Sequence, residues 1–246
     1  MIKVDTQLPV VTALDPQARL TWHVAEGARC QPDQTVLTIE GRAQALLTAE
    51  RTALNFLQLL SAVATKTAVF VEAVAGTRAQ IVDTRKTLPG LRLAQKYAVR
   101  TGGGQNQRLA LYAGILIKEN HIAAAGSVTA AVKNAQTLVA AQASPLREQI
   151  TIQVEVETLE QLREALAAGA VSVLLDNFSN EMMRDAVRIN DEVAQGAALL
   201  EVSGGVTMDQ LRDIAATGVD RISVGKLTKD VKAVDFSLRV LERIGG

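Results

Sequence analysis

The chain has 246 residues, with 26 Lys and Arg against 26 Asp and Glu, 48% hydrophobic and 3% aromatic. So apolar a composition at zero net charge lies outside the disordered regime and argues against a nucleic-acid or membrane-surface binder that works by bulk electrostatics. The one cysteine, Cys30, permits no intrachain disulfide and no four-cysteine zinc site, as in a reducing compartment.

Met1-Ile2-Lys3-Val4-Asp5 lacks the basic stretch, apolar core and small-residue cleavage site of a signal peptide, and no uninterrupted apolar run approaches a bilayer span. The expectation is a cytoplasmic protein without membrane or nucleic-acid partners. Residues up to about Ala45 read as short strands and turns, with β-rich runs at 20–24 and 35–39. From Leu46 to about Thr65, Leu47, Leu54, Leu57, Leu60 and Val63 recur at helical spacing and predict an amphipathic helix beginning near Thr48.

A repeated unit follows, in which an apolar run ends in polar residues and a helical stretch leads to the next run. The runs are 79–82, ending at Asp83-Thr84-Arg85-Lys86; 114–117, ending at Lys118-Glu119-Asn120-His121; 150–154, ending at Glu155; 171–175, ending at Asp176-Asn177; 198–202, ending at Ser203-Gly204-Gly205; and 221–224, ending at Gly225-Lys226. Their ends lie roughly 20 to 40 residues apart, the length of a βα unit with a crossover helix. Residues 159–166 and 208–214 read as amphipathic helices, closed by Gly169 and Gly218. Such a series makes a barrel or a doubly wound sheet, with chemistry at the carboxyl ends of the strands; no dinucleotide or Walker glycine pattern is present, and the barrel is preferred.

Arg85, Lys86, Arg108 and Lys118 would bring about four positive charges to neighbouring strand ends, which in a neutral chain points to an anionic ligand unless they are solvated surface residues. Glu155 and Asp176 would accept hydrogen bonds from sugar hydroxyls or hold Mg²⁺ through water, or would instead form internal salt bridges to Lys86 and Lys118. Ser203-Gly204-Gly205 and Ser223-Val224-Gly225 end the last two strands, where backbone N–H groups approach a phosphate closely in many barrels, or simply turn the chain. The segment 102–108 reads as a flexible polar loop. Two histidines, His23 and His121, cannot build a multi-histidine metal site.

At Glu50-Arg51-Thr52-Ala53-Leu54-Asn55-Phe56, at 83–90 (Asp83-Thr84-Arg85-Lys86 through Gly90), at Leu116-Ile117-Lys118-Glu119-Asn120-His121 and at Glu201-Val202-Ser203-Gly204-Gly205, the sequence resembles the quinolinate phosphoribosyltransferase family, from about Trp22 to the C-terminus. The resemblance implies an α/β N-terminal domain over residues 1–65, an open, incomplete α/β barrel over 66–230 carrying the active site, and a C-terminal helix over 231–246 returning to the N-terminal domain. It also implies a homodimer with shared active sites and a Mg²⁺-dependent reaction of quinolinate with 5-phosphoribosyl 1-diphosphate that gives nicotinate mononucleotide, diphosphate and carbon dioxide on the route to NAD.

By the same resemblance, Arg51 would enter the partner's site and bind the pyridine carboxylates with Arg85, Arg108 and Lys118. Thr84 and Lys86 would line the pocket, Lys86 near the diphosphate; Glu155 and Asp176 would serve ribose hydroxyls and Mg²⁺; and Ser203, Gly204, Gly205, Ser223, Val224 and Gly225 would hold the 5-phosphate. Lys86, Lys118, Glu155 and Asp176 would be the catalytic set. Two departures stand out: Gln107 occupies a position where many members have histidine, and the chain begins inside the family's N-terminal domain. The competing readings are a relative that uses another aromatic acid and a non-catalytic phosphosugar-binding protein.

Overall fold

The computed structural model describes residues 9–143 and 150–241. Two compact units emerge, one comprising Met1–Val69, Leu88–Gly103 and Lys226–Gly246, the other Phe70–Thr87 and Gly104–Gly225. This division differs from a cut at residue 66 chiefly in assigning 88–103 to the first unit.

In the first unit, α1 (Pro9–Leu14) precedes an antiparallel pair, β1 (Arg19–Trp22) and β2 (Leu37–Glu40), and then α2 (Ala43–Ala73). The described part of the segment read as strands and turns therefore opens with a helix, where Pro9 is tolerated because its missing N–H would be unpaired in a first turn in any case. A small core forms where Val11, Ala49 and Ala53 are buried together with Leu20, Trp22, Leu37 and Ile39 packed on them. Buried Asp15 braces the entry to α2: its carboxylate accepts from the backbone N–H of Arg42 at 2.8 Å and of Gln17 at 3.2 Å, and the Arg42 N–H holds its pKa below the ordinary carboxylate value.

Helix α2 is eleven residues or so longer than its amphipathic stripe predicts, because neither glycine nor proline intervenes between Thr65 and Gly76. By length and composition alone it could cross a membrane, although no uninterrupted apolar run does, and half of its most apolar stretch is buried inside the protein. Leu57, Leu60, Val63 and Ala64 are among its buried residues, as in the core helix of a folded domain. Helix α3 (Arg92–Thr101) belongs to the same unit, and Gly102 just after it lies so near α2 that a Cβ would stand 2.4 Å from the Ala64 carbonyl oxygen.

No helix forms over 231–241, contrary to expectation, and 242–246 lie outside the described residues. The reason is in the pattern: Val234, Phe236 and Leu238 are half-buried while Asp235, Ser237 and Arg239 are exposed, a period of two that suits extended chain. The segment is tied to α2 by Lys66, whose Nζ donates to the Asp230 carbonyl and carboxylate, and by Val234 N–H to Gln58 O at 3.3 Å.

The second unit is built on six parallel strands: β3 (Gln80–Val82), β4 (Gly114–Ile117), β5 (Thr151–Val156), β6 (Ser172–Asp176), β7 (Leu199–Ser203) and β8 (Arg221–Ser223). Their spatial order is β3-β8-β7-β6-β5-β4. Among the described residues no ladder joins β3 to β4, so these two strands end the sheet.

Register explains why the strands read as apolar runs. Ile117, Val154, Val173 and Leu200 form one row across four strands; Val156, Leu175, Val202, Ile222 and Ile81 form the next. These residues are 3% exposed or less. Outside them lie α5 (Val128–Ala140), α6 (Leu159–Ala167) and α7 (Asn180–Ala194), whose N-caps Ser127, Thr158 and Ser179 each accept from a backbone N–H three residues on. Beyond α6 and after α8 (Leu211–Ala215), Gly169 and Gly218 take φ of +84° and +95°, the left-handed turns predicted for them.

The opposite face carries the polar side chains, because successive residues of a strand point to opposite sides. Glu155 is in register with Leu174, Leu174 with Glu201, and Asp176 with Ser203. Repeated βα units thus place polar side chains toward the carboxyl ends of adjacent strands.

Candidate functional site

Lys118 follows β4 directly and precedes α4 (Glu119–Ala125). Its Nζ is 2.9 Å from Glu155 Oε1 on the neighbouring strand. The hydrogen bond to Glu155, then the negative charges of Glu155, Glu119 and Asp176, hold its pKa above the ordinary lysine value against partial burial. Lys118 is therefore a fixed cation. Its backbone N–H donates to His121 Nδ1 at 3.0 Å, so His121 orients the turn that carries the lysine.

On β6 the Asp176 carboxylate accepts from Ser203 Oγ on β7 at 2.6 Å and from Asn177 Nδ2 at 2.9 Å. Asn177 takes the left-handed conformation, φ +57°, and its backbone N–H donates to Ser203 O at 3.1 Å. Gly204 follows at φ +102°, and a Cβ there would stand 2.2 Å from Asn177 Oδ1. The turn after β7 is thus held against the turn after β6 by two adjacent unusual backbone conformations. Only Gly204 fits.

Arg108 reaches the same sheet by another route. Its guanidinium Nη1 donates to Gly114 O at 2.6 Å, and burial, with repulsion from the nearby Arg85, lowers its pKa from the usual very high value. Two guanidinium groups that feel each other's charge can share one anion between them. The 102–108 segment is not the flexible loop expected: Gln105 bridges β3 through Gln105 N–H to Ile81 O and Asp83 N–H to Gln105 O, and the Gln107 N–H donates to Asp83 Oδ1 at 2.8 Å. Asp83, fully buried at the end of β3, is the anchor.

The structure thus brings Lys118, Glu155, Asp176 and Ser203 into one line along β4 to β7, with Arg108 near enough to Arg85 to feel its charge. Thr84 and Lys86 lie on the same turn, Lys86 exposed and its N–H bonded to Thr84 Oγ1 at 3.1 Å. Of the alternatives for the carboxylates, an ion pair to Lys118 holds for Glu155. At the end of β8 the Ser223 hydroxyl donates to Glu201 and the Val224 N–H to Val82 O at 2.9 Å, so both groups have protein partners and Gly225 is the part of that turn left without such a bond among the described contacts. Arg51 is exposed on α2, in the first unit.

Glu155 and Asp176 are hard oxygen donors suited to Mg²⁺, and among the described residues the hydrogen bonds to the Asp176 oxygens come from the neutral groups Ser203 Oγ and Asn177 Nδ2. Among the described residues no group of three or more His, Cys, Asp or Glu could hold a metal unaided. The donor set fits an ion that takes one or two carboxylates and completes its shell with substrate oxygens and water. A cavity of about 250 Å³ beside Ser203 and Gly204, lined also by Phe178, Met183 and Val202, bears no charged side chain.

Sequence reasoning passed over Gln153, Asn177 and Glu201. A charged residue inside an apolar run was the available signal for Glu201.

Two family models match the chain: the quinolinate phosphoribosyl transferase C-terminal domain over residues 63–239 and the N-terminal domain over residues 7–61. A protein of Mycobacterium leprae, nicotinate-nucleotide pyrophosphorylase [carboxylating], is 46% identical over 220 residues, covering 89% of this chain and 74% of that protein. A probable enzyme of the same name from Bacillus subtilis is 41% identical, covering 92% of this chain and 75% of that one. The solved nicotinate-nucleotide pyrophosphorylase of Francisella tularensis superposes with a TM-score of 0.87 at 42% identity, over 96% of this chain and 80% of that one.

Proposed function

Because the chain belongs to the quinolinate phosphoribosyltransferase family, we propose that it transfers phosphoribose from 5-phosphoribosyl 1-diphosphate to quinolinate, releasing diphosphate and carbon dioxide and forming nicotinate mononucleotide for NAD synthesis. The observation that carries this reading is the line of Lys118, Glu155, Asp176 and Ser203 across four adjacent strand ends. A dicarboxylate and a diphosphate need fixed cations, and the ribose needs acceptors; both kinds stand there.

In this reading Arg85, Arg108 and Lys118 bind the pyridine carboxylates, with Thr84 and Lys86 along the pocket and Lys86 toward the diphosphate. Departure of diphosphate breaks the anomeric C–O bond and builds oxocarbenium-like charge, which Glu155 and Asp176 stabilise while accepting from ribose hydroxyls. The pyridine nitrogen forms the new C–N bond. Its positive charge then makes the ring an electron sink, so the adjacent C–C bond breaks, carbon dioxide leaves and the ring carbon takes a proton. Mg²⁺, held by Glu155 and Asp176 directly or through water, would offset the negative charge of the leaving diphosphate. Ser203, Gly204, Gly205, Ser223, Val224 and Gly225 would seat the 5-phosphate. The cations and acceptors act mainly by positioning.

The enzyme would work as a cytoplasmic homodimer in which Arg51 completes the partner's site. Arg51→Ala and Lys118→Ala proteins, each inactive alone, should then regain part of the activity on mixing; no recovery in exchanged dimers rejects the shared site. The function is tested by following carbon dioxide and nicotinate mononucleotide formation from quinolinate, 5-phosphoribosyl 1-diphosphate and Mg²⁺, with nicotinate as competitor. Turnover of quinolinate supports it. Turnover of nicotinate in its place, or phosphosugar binding without turnover, sinks it.

A further inference from the structure

Glu201 lies in the middle of β7 and is fully buried. An ionisable carboxyl in that position needs partners, since its desolvation is costly. It has three, all neutral. Ser223 Oγ and Gln107 Nε2, the latter at 2.5 Å, donate to Oε1, and Gln153 Nε2 donates to Oε2 at 3.1 Å. No ion pair includes it among the described residues.

The three donors come from separate pieces of chain: β8, β5 and the segment between α3 and β4. Of these, Gln107 has the informative connections. Its side-chain Oε1 accepts from the Arg108 N–H at 3.2 Å, and its Nε2 also approaches Gln153 Oε1 at 3.4 Å. One amide thus grips the interior of the sheet with its nitrogen and the backbone of Arg108 with its oxygen.

We propose that Glu201 is a positioning residue: through Gln107 it fixes the backbone at Arg108, and so the direction in which the Arg108 guanidinium meets a substrate carboxylate. The inference rests on the reading in which Arg108 binds quinolinate. Packing alone would not need these groups. An apolar side chain could fill the same volume once the three donors were also replaced, whereas a carboxylate with one donor drawn from the Arg108 segment ties that segment to three strands.

Three proteins test it: Gln107→Met, Glu201→Gln, and the exchanged pair Glu201→Gln with Gln107→Glu, which reverses the donor and acceptor. Loss of a hydrogen bond to a charged group predicts a rise of about tenfold or more in KM for quinolinate in each single variant. In Gln107→Met, KM for 5-phosphoribosyl 1-diphosphate should stay within about twofold, because Ser223 keeps its partner. The exchanged pair should recover most of the loss. Amide hydrogen exchange over 104–110 should quicken in both single variants and slow again in the pair. An unchanged quinolinate KM in Gln107→Met, or an exchanged pair no better than Glu201→Gln, overturns the proposal. Should Glu201→Gln fail to fold, Gln107→Met decides by itself. If the unaltered protein does not turn over quinolinate, the functional reading falls, and hydrogen exchange still judges the tether: faster exchange over 104–110 upholds it and no change rejects it.

Discussion

Substituting Gly204 by alanine should damage the protein in a way that substituting its neighbour does not. Gly204 has φ +102°, and its new Cβ would stand 2.2 Å from Asn177 Oδ1, 2.9 Å from Asn177 Cγ and 3.1 Å from the Asn177 nitrogen. Gly205, at φ +49°, would place a Cβ with nothing within 4 Å. Both substitutions bear a backbone cost of about 1–2 kcal/mol for an L-residue at positive φ. Only Gly204→Ala adds overlap, for which overpacking costs of about 1–3 kcal/mol are usual. For a chain of this size the difference should lower Tm by roughly 2–12 °C relative to Gly205→Ala.

The overlap also has a functional direction. Asn177 cannot yield without moving the amide that donates to Asp176 Oδ2, so Gly204→Ala should lower kcat as well as raise KM for 5-phosphoribosyl 1-diphosphate. Differential scanning calorimetry and steady-state kinetics on the two variants give the answer. Equal melting temperatures, with kcat unchanged in both, would refute the argument that Gly204 is required by contact with Asn177.

Arg85→Ala should reduce kcat/KM for quinolinate about a hundredfold or more while leaving Tm within about 2 °C, since the side chain is exposed; near-normal kinetics would remove Arg85 from carboxylate binding. The folded-state pKa of Lys118 is raised above 10.5, so the stability it contributes is fully present below the unfolded value and is lost only as pH rises through the folded one. The pH profile of kcat/KM should therefore show no falling limb due to Lys118 below about pH 10, and a limb that disappears in Lys118→Arg at lower pH would contradict this. Gly102→Ala has an ordinary φ of −80° but would press on the Ala64 carbonyl and on Thr67 Cβ at 2.8 Å; a loss of about 1–3 kcal/mol, read as a lower denaturant midpoint, is expected, and an unchanged midpoint would show that α2 and α3 can separate freely.

All six parallel strands were legible because one face of each is continuously apolar: the rows through Val154, Val173 and Leu200 or through Val156, Leu175 and Val202 depend on residues two apart. The ends of those runs carry the polar residues that the structure brings together, so Lys118, Glu155, Asp176 and Ser203 could be singled out without coordinates. The inward side chains within the runs could not. Glu201 and Gln153 appear in sequence as interruptions, and their pairing across two intervening ladders depends on sheet order, which local pattern does not encode. The same holds for the 102–108 segment, whose three glycines suggest mobility although Gln105 and Gln107 pin it to β3 and Asp83. At the C-terminal end the error was one of period: Val234, Phe236 and Leu238 alternate with polar residues, and a helix would have dispersed them around its circumference.

The pairing of β3 with β8, residues 80–82 against 221–223, has a consequence for the order in which the molecule comes into being. Strand β3 is made early by the ribosome, yet its ladder partner emerges last among the strands, after every other βα unit. Until then β3 lacks its ladder partner, and the turn that bears Thr84, Arg85 and Lys86 is tethered only through the bridge from β3 and Asp83 to Gln105 and Gln107. Such a long-range closure is slow compared with the local pairing of β5 to β6 and β6 to β7, and the unpaired edge is a risk for association with other nascent chains. Assembly of the Arg85 and Lys86 side of the site is thus coupled to completion of the sheet, whereas Lys118, Glu155 and Asp176 come into register on β4 to β6 before β8 emerges.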